Sequence, residues 1–372
     1  VKNMRFIVFS DQHLGSKLYN SPELEYDNRK LFSMVIDRCI ELNPDYLVSV
    51  GDLFDNNKPT SELIEFVTSE LDRLRKQSGT KPLAIAGDHS KPLDGATWEK
   101  ICGFAAVSSV PEFVGIDYSD NPENVTELMN KELNSRPADS VKFLFLHQQI
   151  PELWPFCDDK KKIPLKSLDF SNHCNSLKAL FLGDIHIRYE MRYTDPVCKR
   201  EFFVGYCGSL GVTASNETQK PGLYYWNEDK LQLIEYQLPR KFVSINLDGS
   251  NLDDFSEQSY KEQYELEVEK PVFICKYTAE VAQSIDKLKF LYNLGIVKFT
   301  RTRVLEDEQE EFLNIRSELK TEDRISEVLK VMTNGKENSK LLYDTVYSLV
   351  LSSDPTTILD NLKKTLLEET CV

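Results

Sequence analysis

The sequence predicts an α/β fold, a core of apolar strands covered by helices on both faces. Two observations carry that reading. Short apolar runs of strand length alternate with stretches of helical periodicity through the first half of the chain. Those runs are apolar throughout rather than alternating, as strands buried on both faces require. MRFIVFSD is the first, and the stretch from Glu23 to Leu42 follows it, with Leu31, Met34, Val35 and Ile40 near helical spacing. PDYLVSVGD is the second strand. A helix runs from a capping-type Ser61 to a stop at Gly79. KPLAIAGDH is the third strand, and VKFLFLHQ and LKALFLGDIH are two more.

From about Glu201 the pattern turns strand-rich: REFFVGYCGS, then PGLYYWNEDKLQLIEYQL, a hairpin turning around Asn227–Asp229 and closed by Pro239. Lys241 to Val304 reads as a small α+β module, with strands in KFVSINLD, KPVFICKYT and VKFTRTRVL and a helix through AEVAQSIDKLKFLYNL. Beyond Leu305 the chain is acidic and helical. These shifts predict three parts: 1–240, 241–305 and 306–372.

The 372 residues are 41% hydrophobic and 28% charged, so a sizeable core is affordable and wholesale disorder is excluded. No apolar run reaches membrane-span length, and no secretory signal is evident at the N-terminus, so a cytoplasmic or nucleoid-associated protein without a membrane is expected. Eight cysteines without a CxxC argue against a zinc ribbon or a disulfide framework and for a reducing compartment. The formal charge of −15 disfavours wrapping on nucleic acid but leaves room for a local basic groove or for metals that offset the carboxylates. No G-x-x-x-x-G-K-[ST] is present, which excludes P-loop ATP hydrolysis.

The informative residues stand where the apolar runs stop: Asp11-Gln12-His13, Gly51-Asp52, Gly87-Asp88-His89, His147, and Gly183-Asp184-Ile185-His186. Four of the five histidines belong to this set; His173 falls outside it and is expected in a surface loop. Ligands of α/β sheets bind beyond the carboxyl ends of the strands. Carboxylates and imidazoles gathered there suit two divalent cations roughly 3.5–4 Å apart, which lower the pKa of bound water and neutralise phosphate charge. A mixed His and Asp set suits Mn2+, Fe2+ or Zn2+, and its oxygen-rich character favours Mn2+.

The order D-x-H, GD, GDH, H, GDIH resembles the calcineurin-like metallophosphoesterases. It is most similar to the SbcD-type nuclease subunit of the double-strand-break repair complex, phage versions included. DQHLG, GDLFDNNKPTSE, LHQ at 146–148 and YCGSLGVTASNETQKPGLYYW carry the likeness, which covers about residues 1–245. The resemblance implies a metallophosphoesterase β-sandwich flanked by helices, with a capping domain and C-terminal helices. It implies that Asp11, His13, Asp52 and His186 hold one metal, that Asp88, His147 and Asp184 hold the other, that Asp52 bridges, and that His89 is the catalytic histidine. Asp88 stands where the family has Asn, Ser90 where it has an acid, and Asp184 where it has His. These departures predict a harder, more oxygen-rich second site and put the support of His89 in question.

The activity implied is Mn2+-dependent DNA phosphodiester hydrolysis, as an exonuclease with single-strand endonuclease activity. The alternatives are a small-molecule phosphatase or phosphodiesterase, and a DNA- or ATPase-binding scaffold. Lys58, the lysine run Lys160, Lys161 and Lys162, and Arg301 and Arg303 are candidate phosphate contacts. The resemblance also implies an SMC-like coiled-coil ATPase partner of the SbcC type and a homodimer. The C-terminal apolar stripe of Ile358, Leu359, Leu362, Leu366 and Leu367, after a helix start at Asp354-Pro355, suits docking on that partner.

Overall fold

The computed structural model describes residues 4–301 except 91–95, 156, 214–219, 248–256 and 278. Arg303, the side chain of Arg301 and the helices expected after 306 lie outside the described residues. The chain divides into two compact units. Of the described residues, the larger takes those from 4 to 243 with 261–273 and 294–298, and the smaller takes those within 244–260, 274–293 and 299–301.

The larger unit opens with strand β1 (Phe6–Phe9), helix α1 (Pro22–Leu42), β2 (Tyr46–Val50), α2 (Ser61–Gln77) and β3 (Lys81–Ile85). Helix α3 (Trp98–Cys102), β4 (Ala105–Ala106), β5 (Phe113–Ile116), α4 (Pro122–Ser135), β6 (Phe143–Leu146) and β7 (Ala179–Leu182) follow. It ends with β8 (Tyr189–Thr194), β9 (Glu201–Tyr206), β10 (Gly222–Asn227) and β11 (Lys230–Glu235). They form two sheets, one of six strands in the order β11-β10-β1-β2-β3-β4 and one of five in the order β5-β6-β7-β9-β8. β1, β2 and β3 run parallel, as do β5, β6, β7 and β9. The polar strand ends of each sheet therefore emerge on one edge.

Apolar residues on both faces explain the layering. Inner residues Phe6, Val8, Val48, Val50, Leu83 and Ile85 of one sheet pack against Phe113, Phe143, Phe145 and Phe181 of the other. The Phe6 ring meets Phe143 and Phe113 edge-on at 4.7 and 5.1 Å. The outer face of the first sheet is covered by α1 and α2, whose Leu63, Val67, Leu71 and Leu74 repeat at helical spacing. The outer face of the second receives Val125, Met129 and Leu133 of α4. The outermost strand β8 alternates half-buried and exposed residues, as an edge strand does.

Helix ends follow local chemistry. α1 starts on Pro22 and stops at Asn43, which adopts φ 45° and returns its N–H to Cys39 O. The cap of α2 is Thr60, one residue before the expected Ser61, because the Thr60 hydroxyl accepts the Leu63 N–H. The expected hairpin is β10–β11, where Asn227 pairs with Lys230 and Glu228 and Asp229 turn at φ 51° and 63°.

Two further expectations are corrected here. His173 is fully buried rather than on a surface loop, its Nε2 2.8 Å from Leu133 O while its Nδ1 has no hydrogen-bond partner. Cys174 and Cys198 form a disulfide. The two cysteines are 24 residues apart in sequence, and spacing without a motif gave no sign that they meet.

Residues 242–301 contribute β12 (Phe242–Leu247), α5 (Glu257–Tyr264), β13 (Val272–Tyr277) and β14 (Ile296–Arg301), with a three-stranded sheet in the order β12-β13-β14. The stretch Ala279–Asn293, expected as an α-helix, is 3-10. Its buried Leu288 and Leu291 stand three residues apart, the 3-10 spacing. No described helix is long and apolar enough to cross a membrane.

Candidate metal centre

Each candidate ligand lies just past a strand. Asp11 and His13 follow β1, Asp52 follows β2, Asp88 and His89 follow β3, His147 follows β6, and Asp184 and His186 follow β7. A backbone ladder locks the first loops together: Asp11 N–H donates to Gly51 O, His13 N–H to Asp52 O at 3.0 Å and Leu14 N–H to Leu53 O at 2.9 Å. The second sheet is tied in by the Asp184 N–H, which donates to Asp11 Oδ1 at 3.1 Å, and by His147 Nδ1, 2.8 Å from Val50 O. Close approach demands glycine at two points. Gly51 holds φ +93° with the His147 ring against it, and a Cβ on Gly183 would run into Val50 O and the same ring.

The structure brings all seven candidate metal-binding side chains into one cluster. Three-residue groups with ligand atoms within 4.8 Å of one another are Asp11–His13–His186, Asp11–Asp52–His147 and Asp88–His147–Asp184. Two further groups, Asp52–Asp88–His89 and His13–Asp55–His89, add Asp55, which the strand-end pattern did not single out. His13 Nε2 is 3.1 Å from His186 Nε2, and His186 Nε2 is 3.9 Å from Asp11 Oδ1. His147 Nε2 faces Asp52 Oδ2 at 3.3 Å, Asp88 Oδ1 at 3.4 Å and Asp11 Oδ1 at 4.0 Å.

This donor set fits divalent cations. His147 gives its Nδ1 proton to a carbonyl, which can only accept, so Nε2 is the nitrogen left to bind a metal once it has shed its proton. That buried Nε2 has no hydrogen-bond partner. A buried nitrogen facing three carboxylates with no well-formed hydrogen bond needs a positive charge beside it, either its own proton or a cation. The electrostatics agree. Burial works against a charged His147, yet Asp52, Asp88 and Asp11 outweigh it and draw its pKa well above the ordinary value. Burial would raise Asp52, but His147 and His13 hold its carboxyl below the usual range. Burial raises Asp11 despite His147 and His186. The proton these carboxylates attract onto His147 is one a metal would displace.

His89 occupies a 3-10 turn (Asp88–Ser90), its N–H donating to Asp52 Oδ1 at 3.0 Å. Its Nδ1 bonds Asp55 O, so that nitrogen carries the proton and Nε2 is left to act. Ser90, where an acid was expected, donates its hydroxyl to Glu99. Glu99 lies on α3, 1% exposed, and its other oxygen has no hydrogen-bond partner. Burial, with Asp52 and Asp117 adding to it, pushes its carboxyl up to about 7. An acid beneath the third block is thus supplied from nine residues downstream, a substitution visible only once α3 folds back.

Of the candidate phosphate contacts, Lys58 and Lys160 are exposed and Lys162 pairs with Asp159 at 3.2 Å. Lys161 does not face solvent with its neighbours. Its ammonium bonds Asp88 Oδ2 at 2.8 Å and also Asp184 Oδ1. Gln149 Nε2 takes the other Asp184 oxygen at 2.5 Å. Neither Gln149 nor the inward turn of Lys161 was marked by the sequence, where a lysine run reads as solvated. A cavity of about 720 Å³ is lined by Gly15, Lys17, Asn56 and Lys58 of the loops that also carry His13 and Asp55, and by Arg29 of α1, which pairs with Glu25 and Glu62 in the same wall.

Residues 4–188, which hold this cluster up to His186, match the family Calcineurin-like phosphoesterase, and they form a domain of that class. The chain is similar to three proteins, each named DNA double-strand break repair protein Mre11. With that of Sulfurisphaera tokodaii it is 32% identical, over 41% of this chain and 42% of that protein. For Saccharolobus solfataricus the figures are 28%, 52% and 52%. For Methanococcus maripaludis they are 24%, 96% and 97%. The chain thus spans about half the length of the first two of these relatives.

Proposed function

We infer that the chain is a two-cation phosphodiesterase acting on DNA in break repair or recombination, as an exonuclease with single-strand endonuclease activity. The observation that carries the chemistry is the orphaned, buried His147 Nε2 facing three carboxylates in a phosphoesterase domain. The choice of DNA rests on the break-repair proteins it resembles and on Lys17 and Lys58 in the cavity wall, where Arg29 is already paired with Glu25 and Glu62.

Asp11, His13 and His186 would hold one cation, Asp88, His147 and Asp184 the other, with Asp52 between them; the oxygen-rich set favours Mn2+. When bound, such a pair supplies an acidified water and neutralises charge on the phosphate. The chain's own residues orient the reaction. Val50 O fixes the His147 tautomer, and the Asp55 carbonyl fixes that of His89. A protonated His89 Nε2 donates to the departing oxygen, its backbone held by the Asp52 carboxylate and its ring by the Asp55 carbonyl. Lys58, Lys160, Lys162, Arg301 and Arg303 serve as phosphate contacts. An SMC-like coiled-coil ATPase docks on the C-terminal helices, and the protein works as a homodimer.

The test is substrate. End-labelled duplex and single-stranded oligonucleotides are incubated with and without Mn2+, beside small phosphoesters. Mn2+-dependent shortening of DNA is expected. Turnover of the small esters alone would replace this reading with a phosphatase, and calorimetry showing no Mn2+ binding would leave only a scaffold.

A further inference from the structure

The two cation positions are not alike, and the difference is a lysine. The ion pairs of Asp11 and Asp52 among the described residues are with histidines only. At Asp88–His147–Asp184 a positive charge is already in place. The Lys161 ammonium, its side chain 20% exposed, spans Asp88 and Asp184, the latter side chain only 4% exposed. With Gln149 on its second oxygen, Asp184 has both oxygens engaged by donors.

The lysine is held there by a built structure. Gln149 N–H donates to Lys161 O at 2.9 Å, Ile163 N–H to Gln149 O at 2.8 Å, and Asp158 N–H to Gln149 Oε1 at 2.6 Å. Gln149 thus clamps the 158–163 loop through its backbone while its side chain grips Asp184. Lys161 also lies 5.5 Å over the Tyr118 ring, which adds a cation–π contact on the same side. Hydrogen bonds between charged groups at low exposure are among the stronger ones. A divalent cation can use Asp88 and Asp184 together only by removing that ammonium.

We propose that Lys161 is an internal competitor for the second cation, so that the two positions fill in order and filling the second expels the lysine side chain toward solvent. Asp11–His13–His186 fills first, at low cation concentration. Asp88–His147–Asp184 fills at higher concentration, its affinity reduced by the contacts Lys161 gives up. This inference rests on the two-cation reading of the site, and it is independent of the substrate.

The experiment is Mn2+ titration of the metal-free chain, without DNA, followed by calorimetry and by the free-Mn2+ electron paramagnetic resonance signal. The native chain should show two steps separated by at least tenfold in affinity. In Lys161→Met the second step should tighten about tenfold or more while the first stays put; Lys161→Arg, which keeps the charge, should leave the steps apart. An unchanged or weakened second step in a folded Lys161→Met would overturn the proposal. The native chain offers a measurement that needs no variant: acylation of the Lys161 amine, read by mass spectrometry, should rise as the second step fills, and no rise would overturn it. Two equal sites would sink this inference alone, whereas no Mn2+ binding at all would sink the two-cation reading beneath it.

Discussion

Replacing Glu99 with Gln removes one buried negative charge and little else. The carboxyl is 1% exposed, accepts one hydroxyl bond from Ser90 and leaves its second oxygen without a partner. Burial raises its pKa from 4.5 to about 7. Because the folded value lies above the unfolded one, folding takes up a proton between them. The native chain therefore suffers no penalty below about pH 4.5, a growing one from 4.5 to 7, and the full one above 7. The gap, at about 1.4 kcal/mol per pH unit, comes to roughly 3 kcal/mol. Gln cannot ionise, so Glu99→Gln should gain about 2.5 kcal/mol on the native chain between pH 5, where part of the penalty is already present, and pH 8. The new amide's unpaired N–H costs about 1–3 kcal/mol at every pH and cancels in that difference. The assay is urea unfolding at pH 5, 6, 7 and 8 in EDTA, since a cation beside Asp52 would favour the ionised acid. A stability difference between variant and native chain that is the same at pH 5 and pH 8 would refute the reasoning.

Four further outcomes follow from single contacts. His89→Ala should bind Mn2+ as the native chain does while DNA cleavage falls by roughly 10²–10⁴-fold, since it removes the proton donor and no metal donor; undiminished Mn2+-dependent cleavage would refute its role. Asp52→Ala should lose bound metal by elemental analysis, because its carboxylate lies beside His147, His13 and the His89 N–H; unchanged metal content would count against a shared ligand. Arg240→Met strands the buried Asp27 carboxylate, which the guanidinium grips with two nitrogens, and should cost about 3–5 kcal/mol in denaturant unfolding; recovery in the double variant with Asp27→Leu checks the cause. Reducing Cys174–Cys198 reopens a loop with a sequence separation of 24 and should cost up to about 3.5 kcal/mol; an unchanged urea midpoint with added thiol would refute that.

The strands and the cluster were legible because both follow from short-range rules. A buried parallel strand needs four or five apolar residues in a row, and a polar residue at its carboxyl end has one edge to go to. That logic located Asp11, Asp52, Asp88, His147 and Asp184 without any knowledge of how many sheets there are. It could not divide the strands between two sheets, since β3 and β6 look alike in sequence and differ only in their partners. It also failed wherever a polar side chain is satisfied at long range. Glu99 returns to Ser90 from the next helix, His173 finds a carbonyl 40 residues away, and Lys161 finds carboxylates 73 and 23 residues away. Local pattern assigns each of these to solvent, because it carries no information about which distant acceptor the fold will deliver.

The loop ends that present the donors are themselves strained. Asp11, His13, Asp52 and Asp184 hold φ values of 51°, 47°, 49° and 82°, a region that costs a side-chain-bearing residue on the order of 1–3 kcal/mol. Relaxed loops would also let four like-charged carboxylates drift apart into water. Neither happens, because the ladder from Asp11, His13 and Leu14 to the loop after β2 fixes the first two loops, and the cross-sheet bond from Asp184 N–H to Asp11 Oδ1 ties in the loop after β7. The aromatic core between the sheets supplies the stability that this arrangement consumes. The donors are thereby positioned before any cation arrives, so cation binding gives up little free energy to reorganisation at Asp11, His13 and Asp52. Asp88 and Asp184 are the exception, since their oxygens already have a cationic partner. The asymmetry between the two positions therefore comes from the lysine rather than from looser geometry.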